Sequence, residues 1–512
     1  MVCATPLIRD EGGRAHEKVC FPRERRVILV PRRPNQKVVV AVVYVCGMIM
    51  NSLDSTIVVV ALTTLGREFN VTPAAIEGVV IGYLVSLAVF IPTSGWLGDR
   101  FGSKRIFLLA LAIFTTASAL CGLADSLNQL IIFRVLQGAG GGLLTPVGMA
   151  MLYRTYSPDE RIGVARILMF ATILGPASGP VLGGFLIEKL SWRWTFYVNV
   201  PVGLGALIFG LLFLNEHREP EAGKFDIPGF LLAAVGFGAT MFALSEGPAR
   251  GWSSPEIIYP GIIGALVLVA FVMVELRVPA PMVHLRLLRN RLFRSTLIVQ
   301  WFATAGFIGT LYLVPLFLQE ARGASPLSSG LTSFPEAIGV VTSSQIVARL
   351  YPRIGPRRLM AAGLTLVAAV ILALSFVELS TSAWVVRGLM FCLGVGMSYV
   401  FLPNQAASMA TISRELTGRA STFWSVQRQL GAAIGVATLS TVLTIVGPTR
   451  INATGEIIPH LPAYRAAFLA AAAFAFIGAL FSLRVPDEEA AATMRRPGTI
   501  VEPKEPVLAE AG

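Results

Sequence analysis

The chain has 512 residues, of which 54% are hydrophobic and only 14% are charged, whereas soluble domains carry roughly 25% charged residues. This composition excludes an ordinary water-soluble domain. The net charge of +12 does not indicate a nucleic-acid binder, because the Lys and Arg residues are scattered between apolar runs rather than gathered into one patch.

The first 37 residues carry nine Lys and Arg residues and several prolines. They lack the apolar core of a signal peptide, so we expect a disordered cytoplasmic leader. Apolar runs of about 20 residues, long enough to cross a bilayer, follow one another as far as residue 484. They predict an all-α membrane protein with fourteen transmembrane helices: 38–62, 76–98, 105–124, 128–152, 162–187, 196–215, 226–247, 256–276, 293–318, 327–349, 358–377, 383–405, 417–446 and 463–484.

The distribution of Lys and Arg orients these helices, because cytoplasmic loops keep the excess of positive charge. With the amino terminus inside, that side holds the leader and Arg100, Lys104, Arg105, Arg277, Arg286, Arg289, Arg291, Arg353, Arg357 and Arg358. The other side holds fewer: Arg67, Lys189, Arg193, Arg250, Arg322, Arg450 and Arg465. An even number of helices then places both termini in the cytoplasm.

The chain contains an internal repeat. The segment DRFGSKR at residues 99–105 recurs as PRIGPRR at 352–358, and the same offset carries Arg134 onto Arg387. The repeat predicts two six-helix halves with two helices inserted between them. The expected divisions are a leader (1–37), a first half (38–215), two linker helices (216–290), a second half (291–484) and a cytoplasmic tail (485–512). Repeated halves of this kind are typical of secondary transporters, which bind substrate between the halves near the bilayer midplane.

The loop after the second predicted helix reads GWLGDRFGSKR at residues 95–105. Its glycines permit a tight turn and close packing, and it sets one carboxylate among several cations. The residues of interest are Gly95, Asp99, Arg100, Gly102, Lys104 and Arg105.

The fifth predicted helix contains LGPASGPVLGG at residues 174–184, followed by SWRWTFYVNVPVG at 191–203. Gly and Pro at such a density favour a pliable helix that packs closely on a neighbour. The residues concerned are Gly175, Pro176, Gly179, Pro180, Gly183 and Gly184.

Two full charges lie inside apolar runs of the first half, Asp54 in LDSTIVVVAL and Arg134 in RVLQGAGGGLLTP. A charge inside a membrane costs at least about 2.5 to 3.5 kcal/mol, so it is usually paired and functional. Both residues lie roughly 9 to 12 Å below the outer surface at 1.5 Å per residue, so the two side chains can meet. We expect Asp54 to carry a proton and Arg134 to tune it; a static buried ion pair is the alternative.

In the second half, Glu336 and Arg428 lie roughly 14 to 16 Å deep. They are candidates for a central cavity, with Glu336 as a cation or second proton site, and a purely structural pair is an equal alternative. A cavity for varied amphipaths needs flat apolar surfaces with a few polar groups. Further candidates for its lining are Gln137, Gln300, Trp301, Phe307 and Gln427.

Together these motifs resemble the major facilitator superfamily, and in particular its fourteen-helix drug:proton antiporters. The resemblance is carried by residues 53–62, by the loop at 95–105, by the Gly and Pro motif of exporters at 174–184, and by segments 313–339 and 420–437. The chain differs from that branch at Val59, a position that is commonly Asn, and at Thr63, a position that is commonly Pro. The resemblance implies a major facilitator fold of six plus two plus six helices, and a loop at 95–105 that latches the cytoplasmic side.

The resulting expectation is a proton-coupled exporter of small amphipathic drugs or toxic compounds, acting by alternating access. A carrier for one metabolite, such as a siderophore, amino acid or sugar, is the alternative. The expected setting is a bacterial cytoplasmic membrane, with a monomer that uses the proton gradient and needs no cofactor or metal; accessory envelope proteins are an open addition. The five cysteines show no paired spacing, and the chain lacks both a phosphate-binding loop for ATP and a catalytic constellation of histidines.

Overall fold

The computed structural model describes residues 35–71, 73–219, 225–278, 281–413, 415–451 and 456–494. Most of the expected leader and the end of the expected tail therefore lie outside the described residues. Inside the helices, the side chains of a few residues, including Pro176 and Pro180, also lie outside them.

Almost all of the described chain is helical. The first part comprises α1 (Gln36–Glu68), α2 (Pro73–Phe90), α3 (Ser94–Phe101), α4 (Ser103–Gly122), α5 (Leu127–Thr155), α6 (Arg161–Lys189), α7 (Trp194–Tyr197) and α8 (Asn199–Phe213). Two helices follow, α9 (Ile227–Arg250) and α10 (Pro255–Arg277). The remainder comprises α11 (Arg291–Leu316), α12 (Pro326–Ser333), α13 (Pro335–Ile354), α14 (Pro356–Leu374), α15 (Ala383–Ser408), α16 (Thr417–Val446) and α17 (Leu461–Ser482). A short antiparallel hairpin, β1 (Thr449–Ile451) and β2 (Ile457–Pro459), precedes α17.

Eleven helices of the described ranges are long and apolar enough to cross a membrane, or twelve if α2 and α3, bent by 54°, form one span. Helices also occupy the two other predicted spans, 162–187 and 327–349, as α6 and as the pair α12 and α13. These fall outside the set of twelve, and the count of fourteen stays a prediction.

Local sequence explains where many helices begin. The side chains of Ser126, Asp226 and Asn290 accept hydrogen bonds from backbone N–H groups in the first turns of α5, α9 and α11, as N-cap residues do. Proline occupies the first turn of α9, α10, α12, α13, α14 and α17, where its missing N–H costs nothing.

The internal repeat is visible in the backbone. Gly102, between α3 and α4, and Gly355, between α13 and α14, adopt φ of +104° and +83°, a region that other residues rarely enter. After each glycine a distant carboxylate binds the start of the next helix: Lys104 N donates to Glu216 Oε1 (2.9 Å) and Arg357 N donates to Asp487 Oδ1 (2.8 Å). The turn is thus built in the same way twice.

The helices before α9 pack mainly among themselves, chiefly α1 on α6, α4 on α5 and α2 on α5. Those after α10 do the same, chiefly α13 on α15, α14 on α15 and α17, and α11 on α17. Contacts between the two sets join α16 to α3 and α5, and α15 to α6. The inserted helices pack on each other, and α9 also lies against α2 and α16. It therefore touches both sets.

Candidate functional site

The two charges buried in the first half are in contact. Asp54 of α1 and Arg134 of α5 are 0% and 1% exposed, and Arg134 Nη1 lies 2.5 Å from Asp54 Oδ2. Their similar depths allowed this contact, and the structure shows it.

The Asp54 carboxylate accepts three hydrogen bonds. Besides Arg134, Gln137 Nε2 donates to Oδ1 at 2.8 Å and Asn199 Nδ2 donates to the same oxygen at 3.1 Å. Both oxygens are thus satisfied as acceptors, and hydrogen bonds to a carboxylate stabilise its charged form. The donors come from α5 and α8, so the carboxylate joins α1 to both helices.

Arg134 has partners besides Asp54. Its Nε donates to Val79 O at 3.2 Å and its Nη1 to Gln137 Oε1 at 2.8 Å. The guanidinium carbon lies 4.1 Å from the ring centroid of Tyr83, an arrangement that attracts a cation to the ring face. The Tyr83 hydroxyl in turn donates to Asn51 Oδ1 at 2.6 Å. The pair is therefore held from α2 as well as from α1 and α5.

Sequence reasoning did not single out Asn199, Tyr83, Asn51 or Ser118 as parts of this site. Asn199 also donates to Ser118 Oγ at 3.1 Å, which connects α8 to α4. The available signal was weak: Asn51, Ser118 and Asn199 are polar residues inside apolar runs, and many such residues only bond to their own helix. Gln137 was predicted as a cavity residue and instead lies, fully buried, within the Asp54 network.

The glycine motif of α6 lies directly against the turn of α1 that carries Asp54. A Cβ atom placed on Gly175 would lie 2.5 Å from Ser52 Cβ and 2.9 Å from Leu53 N. Gly179 and Gly183 similarly face α1, whereas Gly184 has nothing within 4 Å. Three of the four predicted glycines therefore permit close contact between α6 and α1.

The loop at 95–105 contacts the start of α16. Asp99 is buried and pairs with Arg154 at 2.7 Å, and a Cβ atom on Gly418 would lie 2.7 Å from Asp99 Oδ1. A Cβ atom on Gly95 would lie 2.6 Å from Thr422 Oγ1. The two halves touch so closely here that side chains at these glycines would not fit.

The basic residues of this loop behave differently from Asp99. Lys104 Nζ donates to the carbonyl of Leu214 at 2.6 Å, and Arg105 lies 3.6 Å from Glu216. Both therefore hold α4 to the segment after α8 rather than to the second half. Arg100 is exposed, and no hydrogen bond or ion pair with the described residues supports its predicted role as a latch in this conformation.

The predicted cavity residues of the second half fall into two groups. Gln300 is fully buried and hydrogen-bonds to Thr304 and Asn404. Phe307 is 4% exposed and packs in the hydrophobic core beside Phe401. In this conformation both are packing residues, and their exposure to a substrate stays a prediction.

The second group consists mainly of residues with a buried polar atom that has no hydrogen-bond partner among the described residues. Glu336 is 6% exposed and its Oε1 has no hydrogen-bond partner; Gln427 Oε1 and Arg428 Nε are also unpartnered. Within the described part of the chain, no ion pair joins Glu336 to Arg428, so the structural pair weighed for them does not form here. Arg428 instead lies over the Trp424 ring, and Trp301 packs on Phe302.

Comparison with known proteins identifies the family. The model of the Major Facilitator Superfamily matches residues 44–436. The chain belongs to this superfamily. Major facilitator proteins are multi-pass membrane transporters of small molecules, and this chain is therefore one.

Several bacterial major facilitator proteins are similar to it. The chain is 35% identical over 406 residues to the multidrug resistance protein B homolog of Mycobacterium tuberculosis, covering 78% of this chain and 75% of that protein. It is 35% identical over 420 residues to the multidrug resistance protein Stp of the same species, covering 81% and 76%. It is 32% identical over 408 residues to the putative multidrug resistance protein MdtD of Pectobacterium atrosepticum, covering 80% and 87%.

Solved structures confirm the fold. The proton:xylose symporter XylE aligns with a TM-score of 0.63 at 14% identity, over 90% of this chain and 99% of that one. The human organic anion transporter MFSD10 aligns with a TM-score of 0.61 at 16% identity, over 87% and 99%. The described residues of this major facilitator protein contain no group of three or more His, Cys, Asp or Glu residues that could hold a metal ion.

The contact of α6 with α1 predicts a difference between two glycines. Gly175→Ala forces its methyl group against the backbone of α1, and overpacking of this kind costs about 1–3 kcal/mol. Gly184→Ala meets open space and gains helix propensity of about 0.5–1 kcal/mol. We expect the first variant to melt below the wild type in detergent and the second at or above it. Equal melting temperatures for the two variants would contradict this packing.

Proposed function

We propose that this protein is a proton-coupled antiporter that exports small amphipathic molecules from the bacterial cytoplasm. The observation that carries the proposal is the buried contact of Asp54 with Arg134. A carboxylate in the middle of a helical bundle is expensive unless it has partners, which makes it a natural place to bind a proton when those partners leave.

The proposed cycle depends on the hydrogen-bond donors that Asp54 would lose when α1 moves. Removing one partner from a buried ion pair costs about 3–5 kcal/mol in soluble proteins, because an uncompensated charge remains. If α1 shifts relative to α5, Asp54 loses Arg134 and Gln137, and protonation removes the stranded charge. Return of α1 restores the donors and releases the proton.

Arg134 is suited to remain charged while Asp54 is neutral. Val79 O, Gln137 Oε1 and the Tyr83 ring still solvate the guanidinium after Asp54 has left. When α1 returns, Arg134 lies beside Asp54 again and favours its ionised form over its protonated form. The proton is therefore released. This is how a fixed cation would couple the position of α1 to the protonation of Asp54.

Export of drug-like compounds is supported by the names of the relatives, which are called multidrug resistance proteins. A site for amphipathic cations would use Glu336, with Gln427 and Arg428 as further polar contacts and Trp301 as a flat apolar surface. The unpartnered atoms of Glu336, Gln427 and Arg428 fit this role, since a cargo can bind them. The proposed setting is a monomer in the cytoplasmic membrane with both termini inside.

The contacts of the loop at 95–105 with α16 are proposed to form the cytoplasmic gate. At the same end of the bundle, Ser94 Oγ lies 3.1 Å from Thr422 Oγ1, and the Tyr153 hydroxyl donates a hydrogen bond to Gln405 O at 3.0 Å. Alternating access requires these contacts between the halves to break when the cytoplasmic side opens. Asp99 therefore acts as a latch through its fit beside Gly418.

The coupling role of Asp54 predicts a loss of proton-driven transport in Asp54→Asn. Asn cannot exchange a proton in this way, so we expect transport of ethidium, used as a probe cation, to fall at least about tenfold, or ~1.4 kcal/mol. The assay uses inverted vesicles with an imposed pH gradient. Exchange of ethidium in the absence of a gradient should be much less affected.

The matched control is Glu246→Gln in α9. Glu246 is also a buried carboxylate paired with an arginine, Arg250, but it lies outside the first half. Its variant should keep the gradient dependence. If Asp54→Asn also keeps full gradient-driven transport, Asp54 is a static structural residue and the proposal is wrong.

The gate predicts different effects for two neighbouring residues. Asp99→Asn removes a negative charge that lies beside Gly418 at the amino-terminal end of α16. Negative charge is stabilising at that end of a helix, so we expect the inward-open population to rise severalfold. Arg100→Gln changes an exposed side chain and should leave that population close to the wild-type value. Distances between spin labels on the cytoplasmic ends of the two halves report the populations. An equal shift in both variants would show that the loop acts by net charge alone.

A further inference from the structure

We propose that a pocket between the end of α10 and the start of α11 binds the phosphate group of an anionic membrane phospholipid. The pocket has a volume of about 660 Å³. Its walls come from α10, from the 3₁₀ turn Leu285–Arg289 and from α11. The residues that line it are Leu276, Leu285, Arg286, Leu288, Arg289 and Arg294.

The pocket carries three arginines whose charges are not neutralised by the described residues around it. The side chains of Arg286 and Arg289 form no hydrogen bond or ion pair with any described residue. Arg294 donates one hydrogen bond, to Leu288 O at 3.2 Å, which leaves its other donors available. Three guanidinium groups around one cavity favour an anion, and their planar donor sets match phosphate oxygens.

The carboxylates near the pocket do not neutralise its three arginines. Glu489 Oε2 accepts from Leu292 N at 3.2 Å but forms no ion pair with the three arginines in the part of the chain described. Glu275, next to Leu276, is 2% exposed and accepts from Val283 N. The pocket therefore keeps its positive charge.

The apolar surface beside the pocket favours a lipid over a soluble anion. Among the membrane-spanning helices of the described ranges, α10 is the most apolar and the least buried. Leu266, Val269, Met273 and Leu276 are 65%, 58%, 47% and 51% exposed, and their spacing places them on one face of the helix. This stripe ends in the pocket wall at Leu276. An acyl chain along the stripe would bring its phosphate to the arginines.

The pocket lies at the end of the bundle that carries the gate contacts. His284, just before the 3₁₀ turn, accepts at Nδ1 from Arg419 Nη1 (3.2 Å), and Arg419 follows the Gly418 that meets Asp99. Burial, Arg419 and Arg286 lower the pKa of His284, which favours the neutral ring that this bond requires. Basic pockets between membrane helices at the cytoplasmic side are suited to anionic head groups. A bound lipid would bridge the inserted helix α10 to the second half.

The test is lipid binding to the full-length protein in detergent, followed by native mass spectrometry. We expect dioleoyl phosphatidylglycerol to bind the wild type at least about tenfold more tightly than dioleoyl phosphatidylcholine. The triple variant R286Q/R289Q/R294Q should lose this preference. The matched control R349Q/R353Q/R358Q removes three exposed arginines elsewhere on the predicted cytoplasmic side and should retain it. Equal losses in both triple variants would overturn the proposal, because they would show only general attraction of charge.

Two further measurements distinguish a lipid site from a site for free phosphate and provide a test if the triple variant misfolds. Inorganic phosphate at the same concentration should not displace phosphatidylglycerol; if it does, the pocket is a site for soluble anions and the lipid proposal is wrong. Leu276→Gln changes one exposed wall residue, so we expect the variant to fold and to bind phosphatidylglycerol severalfold more weakly. Unchanged binding in Leu276→Gln would likewise contradict the proposal, even if the triple variant proved unstable.

Discussion

The buried contact between Asp54 and Arg134 is the interaction on which the first half depends. Each charge is costly without a partner inside an apolar bundle, so the helices that carry them are held in register. The same carboxylate accepts from Gln137 and Asn199, and the same guanidinium reaches Val79 and the ring of Tyr83. One ion pair therefore fixes α1, α2, α5 and α8 relative to each other, and any movement of α1 must change the electrostatics of the site.

The rest of the structure makes such movement feasible. Where Gly175, Gly179 and Gly183 of α6 face α1, no side chain of these three residues stands between the two helices. Contacts between the halves include two hydrogen bonds, from Ser94 to Thr422 and from Tyr153 to Gln405, and apolar packing of Ala420 and Trp424 of α16 in the core of the first half. The proposed coupling site and the proposed gate thus lie at different levels of one set of helices.

Much of this arrangement was predictable from the sequence. Charges inside apolar runs identified Asp54 and Arg134, and the repeated turn glycine identified Gly102 and Gly355, because both signals are local. The partners were not predictable: Asn199 reaches Asp54 across 145 residues, and Glu216 reaches Lys104 across 112. Such pairings depend on how helices rotate and pack, which apolar composition does not specify. For the same reason the packing of Phe307 beside Phe401 in this conformation was not predictable.

The most direct test of the account is whether Asp54 gains and loses a proton during the cycle. Infrared difference spectroscopy on protein labelled with ¹³C-aspartate, recorded on addition of ethidium and on acidification, detects the carbonyl band of a protonated carboxyl group. The account predicts a label-sensitive band in the wild type that is absent from Asp54→Asn. An identical band in both proteins, or no band in either, would show that Asp54 stays ionised beside Arg134 and would contradict the account.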